Sequence, residues 1–230
     1  MIRHPHYSHL STLQQDVKDV AWRQVAESGS ASISLERISR ELSITREEIR
    51  MYFHDLNDLV TAMLIDAHSS FGDYQITARD SFPGVGQFLQ RFMATGMAYR
   101  KWAIRYPEKY ALLFGPPVPG YQISLEILRP FMMRSVSALV GVVRELREAK
   151  LLNVESIPLL DPTAFEAYFW GLSSMSKDDL LLYTLVMIIR SRLHGMVSLE
   201  ISGHLPQQED GWASLYEFEI KSIVRQFIDI

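Results

Sequence analysis

Cysteine is absent from all 230 residues, which excludes a disulfide framework, a thiolate metal site and a thiol nucleophile. A chain without thiols suits a reducing compartment, and a cytoplasmic location is expected. Long apolar runs are missing too. The cleanest, Leu180 to Ile189, is about half of the roughly 20 residues that cross a bilayer, and the opening MIRHPHYSHL has no apolar export core, so no membrane partner is expected. Positive charge is scarce: the net charge is −4 and the pI about 6.0, which gives nucleic acid no bulk attraction. Residues 1–66 hold seven Arg and Lys against ten Asp and Glu, so any DNA contact there depends on local placement. A glycine-rich phosphate loop, a nucleophile elbow and an HExxH pair are all lacking. An enzymatic role has no residues to stand on, and no cofactor is expected.

What is present is helical periodicity from end to end, on 47% apolar composition that can fill a core. Ser11-Thr-Leu-Gln14 has the spacing of a capping box, and Leu13, Val17, Val20, Ala21 and Val25 follow on one face, so a first helix is expected over 12–28. Gly29 supplies a left-handed C-terminal residue. Ser34 then caps a short helix with Leu35, Ile38 and Leu42 inward. Thr45-Arg-Glu-Glu48 is a second capping box and opens a third helix. At about 100° per residue, Ile49 and Phe53 fall on one edge of it, with Glu47, Arg50 and Met51 on the other. A fourth helix begins near Asp55 and fades around Asp80.

Beyond Phe82-Pro83-Gly84 the helices are larger and richer in aromatics and Met: 85–106, 108–114, 122–150 with a kink or restart at Pro130, 161–175, 176–201 and 212–229. No period-2 run of strand length remains. The expected fold is all-α, with an N-terminal helix-turn-helix domain over 1–60 and a larger helical bundle over 61–230.

Two short helices joined by three residues cannot bury enough surface alone, so the first and fourth helices must complete a core around them. That arrangement is a helix-turn-helix, whose second short helix stands out to enter a major groove about 12 Å wide. The candidate DNA-contacting residues are Thr45, Arg46, Glu47, Arg50, Met51 and Tyr52, with Ser34 as a phosphate holder or simply a cap. Glu48 is most simply the return half of its capping box. Glu47 either accepts from a cytosine amino group or only compensates the helix dipole. His4, His6 and His9 lack fixed geometry and an acidic partner, and His194, Glu200 and His204 do not share one helix face, so no metal site is expected.

Residues 17–64, "VKDVAWRQVAESGSASISLERISRELSITREEIRMYFHDLNDLVTAML", resemble the DNA-binding domain of the tetracycline-repressor (TetR) family. "YRKWAIRYPEKYALLFGPPVPGY", 99–121, and "LHGMVSLEISGHL", 193–205, resemble the C-terminal domain of a subgroup with a Trp-His-Gly motif. The chain departs from the family pattern at Ser43, where Gly is usual in the turn. It departs again at Glu47 and Glu48, where small or hydroxyl residues are usual, at Arg50 in place of an aromatic, at Leu56 in place of a phosphate-holding cation, and at Arg190 in place of the motif's tryptophan.

The resemblance implies a homodimer that reads a palindromic double-stranded DNA operator and is released by a small, largely apolar effector. It also implies a cavity in the bundle. Phe88, Phe92, Tyr99 and Trp102 on one stripe, with Phe131, Phe169 and Trp170, are the candidate lining, though the same residue types pack ordinary cores. No charged anchor for specificity stands out. The candidate dimer surface is His194, Gly195, Ser198 and Leu199 with Leu215, Phe218 and Phe227, burial within one subunit being the alternative. A sensor or partner of the same fold with lost or reduced operator binding is the second expectation.

Overall fold

A computed structural model describes residues 6–158, 176–203 and 211–229. All the described regular structure is helical: α1 His6–Ser28, α2 Leu35–Leu42, α3 Arg46–Arg50, α4 Leu56–Asp80, α5 Phe88–Arg105, α6 Pro107–Phe114, α7 Leu125–Glu148, α8 Lys177–Ile201 and α9 Gly211–Phe227. The expected helix over 161–175 lies outside the described residues.

Two expectations are corrected, the start of the first helix and a restart at Pro130. Helix α1 is already formed at His6, so Ser11 sits inside it rather than capping it. Helix α7 passes through Pro130 as one element. Pro130 is the sixth residue of this helix and has no N–H to give the Glu126 carbonyl, so the helix continues with one bond fewer.

The chain packs as two compact units, one of residues 1–70 with 105–133 and one of 71–104 with 134–230. The first therefore takes in a segment that follows the second's opening residues in sequence. Its core joins Val17, Val20, Ala21 and Val25 of α1 to Ile38 of α2, Ile49, Phe53, and Leu59, Val60 and Met63 of α4. Leu112, Val118 and Leu128 from the later segment belong to the same core. The segment is also tied by polar contacts. Ser30 donates to the Pro116 carbonyl (2.6 Å), the Gln122 N–H donates to Asn57 Oδ1 (2.8 Å), the Thr61 and Tyr121 hydroxyls meet at 3.1 Å, and the Lys109 ammonium lies 5.9 Å over the Trp22 ring.

The second unit is built from the later part of α4 with α5, the rest of α7, α8 and α9. Trp102, Phe71, Phe92, Tyr216 and Phe227 are its largest fully buried side chains. Gly96 lets α5 approach α9 closely, since a Cβ there would lie 2.9 Å from Ile220 Cδ1, and the Tyr216 hydroxyl donates to the Gly96 carbonyl at 3.0 Å. Arg100 grips Glu200 through two bonds (2.8 and 2.5 Å), and Arg91 bonds Glu145 at 2.8 Å. By length and composition alone, 179–201 of α8 could cross a membrane. Here its Leu182, Leu185, Val186, Ile189, Leu193 and Val197 are buried in this unit.

Candidate functional site

The turn between α2 and α3 is set by a serine in an unusual conformation. Ser43 adopts the left-handed region at φ 54, ψ 40. Its N–H donates to the Arg40 carbonyl (3.3 Å) and the Ile44 N–H to the Ser39 carbonyl (3.0 Å), a Schellman closure that glycine normally provides. The capping residues behave as their spacing predicts. Ser34 accepts from the Arg37 N–H (3.3 Å), Thr45 Oγ1 accepts from the Glu48 N–H (3.2 Å), and the Glu48 carboxylate accepts from the Thr45 N–H (2.7 Å). That backbone bond, then the Thr45 hydroxyl, holds the Glu48 carboxyl below its usual range, as expected of an anion at a helix start.

With Ile49 and Phe53 buried beneath it, α3 turns Thr45, Arg46, Glu47, Arg50 and Met51 outward. Met51 is 66% exposed, and nothing among the described residues covers it. Tyr52 is placed differently from its expected role. It is half-buried against the core, and its hydroxyl is enclosed with no hydrogen-bond partner among the described residues. Ring and hydroxyl face inward because the turn after α3 carries residue 52 round to the edge shared with Phe53.

Most cations of this head are already paired. Lys18 bonds Asp66 at 2.7 Å, and Arg23, Arg37 and Arg46 pair with Glu41, Glu27 and Glu36. Glu36 also accepts from the Ser34 hydroxyl at 3.0 Å, so one carboxylate holds two of the residues expected to meet DNA. Among the described residues of this stretch, Arg40 and Arg50 have no acidic partner.

The second unit contains a narrow pocket, partly open to solvent, whose enclosed part has room for about one water. Phe92 and Tyr99 line it as expected. Trp102 does not: it is fully buried against Phe71, with ring centroids 4.7 Å apart. Phe88 is half-buried beneath the Arg91 guanidinium, away from the lining, and Phe131 belongs to the other unit. Phe169 and Trp170 lie outside the described residues. Sequence reasoning missed Phe71, Gln75, Thr95, Ser135 and Arg190 in the wall. The Phe71–Gln75 spacing of one helical turn was the available signal, and Arg190 stood out as the departure one turn before His194.

The candidate dimer residues separate into three groups. Phe227 is 1% exposed and belongs to its own subunit's core, which overturns its assignment to an interface. His194 and Ser198 are half-buried and held internally: His194 Nδ1 meets the Tyr99 hydroxyl at 2.9 Å and Nε2 the Ser198 hydroxyl at 3.3 Å. Burial, and then the nearby Arg190 charge, pushes the His194 imidazole below its ordinary pKa. Leu199, Leu215 and Phe218 do stand out, at 47%, 48% and 57% exposure. Gly195 is exposed, with nothing within 4 Å of where a Cβ would lie.

Residues 92–223 match the family model described as the tetracyclin repressor-like C-terminal domain. The chain belongs to the tetracycline-repressor family. Like the rest of that family it is a transcriptional regulator and not an enzyme. It is 32% identical over 109 residues to the HTH-type transcriptional regulators Rv1816 of Mycobacterium tuberculosis and Mb1846 of Mycobacterium bovis, over 47% of this chain and 46% of each relative. The match thus spans about half the length of these curated relatives. Two solved structures share the fold. The regulatory protein SCO4313 superposes over 96% of this chain and 100% of its own (TM-score 0.71, 24% identity), and a TetR family transcription regulator of Marinobacter aquaeolei over 97% and 99% (TM-score 0.63, 11% identity).

Proposed function

We propose that this TetR-family regulator is a cytoplasmic, homodimeric repressor that reads a palindromic double-stranded DNA operator and releases it when a small molecule enters the second unit. The observation that carries this reading is α3 itself. It is anchored from below by Ile49 and Phe53 and presents Arg46, Glu47, Arg50 and Met51 to solvent, the geometry a reading helix needs. Two copies held through the exposed Leu199, Leu215 and Phe218 would place two such helices on one duplex. A ligand that forces the cavity walls apart would favour a spacing at which only one half-site is met, and the affinity supplied by the second contact is lost.

Fluorescence anisotropy tests this with DNA selected from the organism's genome. Arg50→Ala should weaken binding across sequences and flatten the salt dependence by about 1 per subunit if Arg50 meets a phosphate. The second reading, a sensor or partner with reduced operator binding, draws support from the ion pairs that occupy Arg23, Arg37 and Arg46. It predicts that Arg50→Ala changes nothing.

A further inference from the structure

We propose that Glu47 is a specificity-determining residue of α3: its carboxylate accepts a hydrogen bond from the amino group of a cytosine, so that each half-site carries a C·G pair at that position. The inference rests on the reading of α3 as the helix that enters the DNA and adds one base pair of what it reads.

Most of the outward side chains of this helix are already accounted for. The Thr45 hydroxyl donates to the Glu48 carboxylate at 2.9 Å, Glu36 holds Arg46, and the exposed Met51 is a thioether with no donor. Glu47 and Arg50 are both exposed, and among the described residues neither side chain has an ion-pair or hydrogen-bond partner. They stand three residues apart, the spacing at which helix side chains are neighbours, and still do not pair. Nor is Glu47 needed to close the helix, because Thr45 and Glu48 already form the capping box.

A carboxylate left open on a face that meets DNA is repelled by the phosphates, and only a donor on the duplex offsets that repulsion. The major groove presents such donors as the amino groups of cytosine and adenine, whereas guanine and thymine offer acceptors alone. Adenine sets its N7 acceptor beside the amino group, which opposes a carboxylate acting as acceptor at both oxygens. Cytosine has a carbon-bound hydrogen in that place. The carboxylate therefore favours cytosine and disfavours the other three bases, so repulsion adds to the selection. Arg50, open on the same edge, offsets the charge toward the phosphates without specifying a base.

Duplexes selected by the full chain from a random-sequence library supply the site, and anisotropy with each base pair changed in turn maps the preference. One C·G pair should lose about fivefold or more per half-site on change to T·A. Glu47→Ala should remove that preference, keep those at the other positions, and bind the T·A duplex at least as tightly as the wild type does. Glu47→Gln should move the preference to A·T, since an amide reads adenine, and Arg50→Ala should weaken all duplexes alike. Circular dichroism and melting of the Glu47 variants establish that they fold, and the glutamine variant answers the question if the alanine variant does not. A preference map unchanged in Glu47→Ala or Glu47→Gln overturns the cytosine contact and leaves the reading of α3 standing. Selection of no sequence over random DNA by the wild type overturns both.

Discussion

Glu36 holds the Arg46 guanidinium and accepts from the Ser34 hydroxyl at 3.0 Å, so its removal should strengthen DNA binding rather than weaken it. Glu36→Gln keeps the size of the side chain and removes its charge. The Arg46 and Glu36 side chains are 50% and 61% exposed, and an exposed pair of this kind contributes about 0.5 kcal/mol. Two subunits together would then free about 1 kcal/mol that DNA binding no longer has to overcome, close to a fivefold gain in affinity. If each released arginine meets a phosphate, the slope of log K against log salt should steepen by about 0.9 per subunit. The cost falls on the fold: Glu36 is an acidic residue in the first turn of α2, and losing it should lower stability by about 0.3 kcal/mol. Anisotropy titrations from about 50 to 200 mM salt, the range over which phosphate contacts are most visible, read both quantities. Unchanged or weaker binding with an unchanged slope would refute the reasoning.

Ser43→Gly should relieve the left-handed strain at φ 54 and stabilise the chain by about 1 kcal/mol, a rise of about 2–4 °C in melting temperature; a fall would contradict the turn geometry. Ile49→Ala, at a side chain 1% exposed, should cost about 2–5 kcal/mol in denaturant unfolding. Met51→Ala, 66% exposed, should stay within about 0.5 kcal/mol. His194 is pushed below its ordinary pKa by burial and then by Arg190, so the unfolded chain binds that proton more readily. The stability tied to His194 is therefore full above pH 6.5, falls as pH drops below it and levels off beneath the lowered folded pKa. His194→Gln should flatten that part of the pH profile in denaturant titrations between about pH 7.5 and 5, a range set by the ordinary histidine pKa; an unaltered profile would show that the imidazole is not the source.

What could be read from the sequence was local. The Ser34 cap, the Thr45–Glu48 box and the inward Ile38, Ile49 and Phe53 all follow from spacings of one or two helical turns, and the structure reproduces each. Contacts between distant segments carry no such period. Nothing in 105–133 announces that Leu112, Val118 and Leu128 complete the core of the N-terminal head, because an apolar helix face does not name its partner. The same limit explains Phe131 and Phe227, aromatic residues of the right type whose surroundings are decided by packing. Tyr52 lies two residues past Arg50, in the turn that follows α3, and two residues are about 200° around a helix, enough to turn the ring inward. Arg190 stands out in the sequence only as a departure from a pattern, and its place in the pocket wall follows from packing.

The central claim, that two outward-facing α3 helices on a twofold pair of subunits read one duplex, is tested most directly by half-site scrambling. Anisotropy against a palindromic site selected from genomic DNA should show one dimer bound per site. Scrambling either half should cost affinity as steeply as scrambling the other, and scrambling both should reduce binding to the level of random DNA. Binding no tighter than to random sequence from the outset, or binding by a single subunit indifferent to the second half-site, would contradict it.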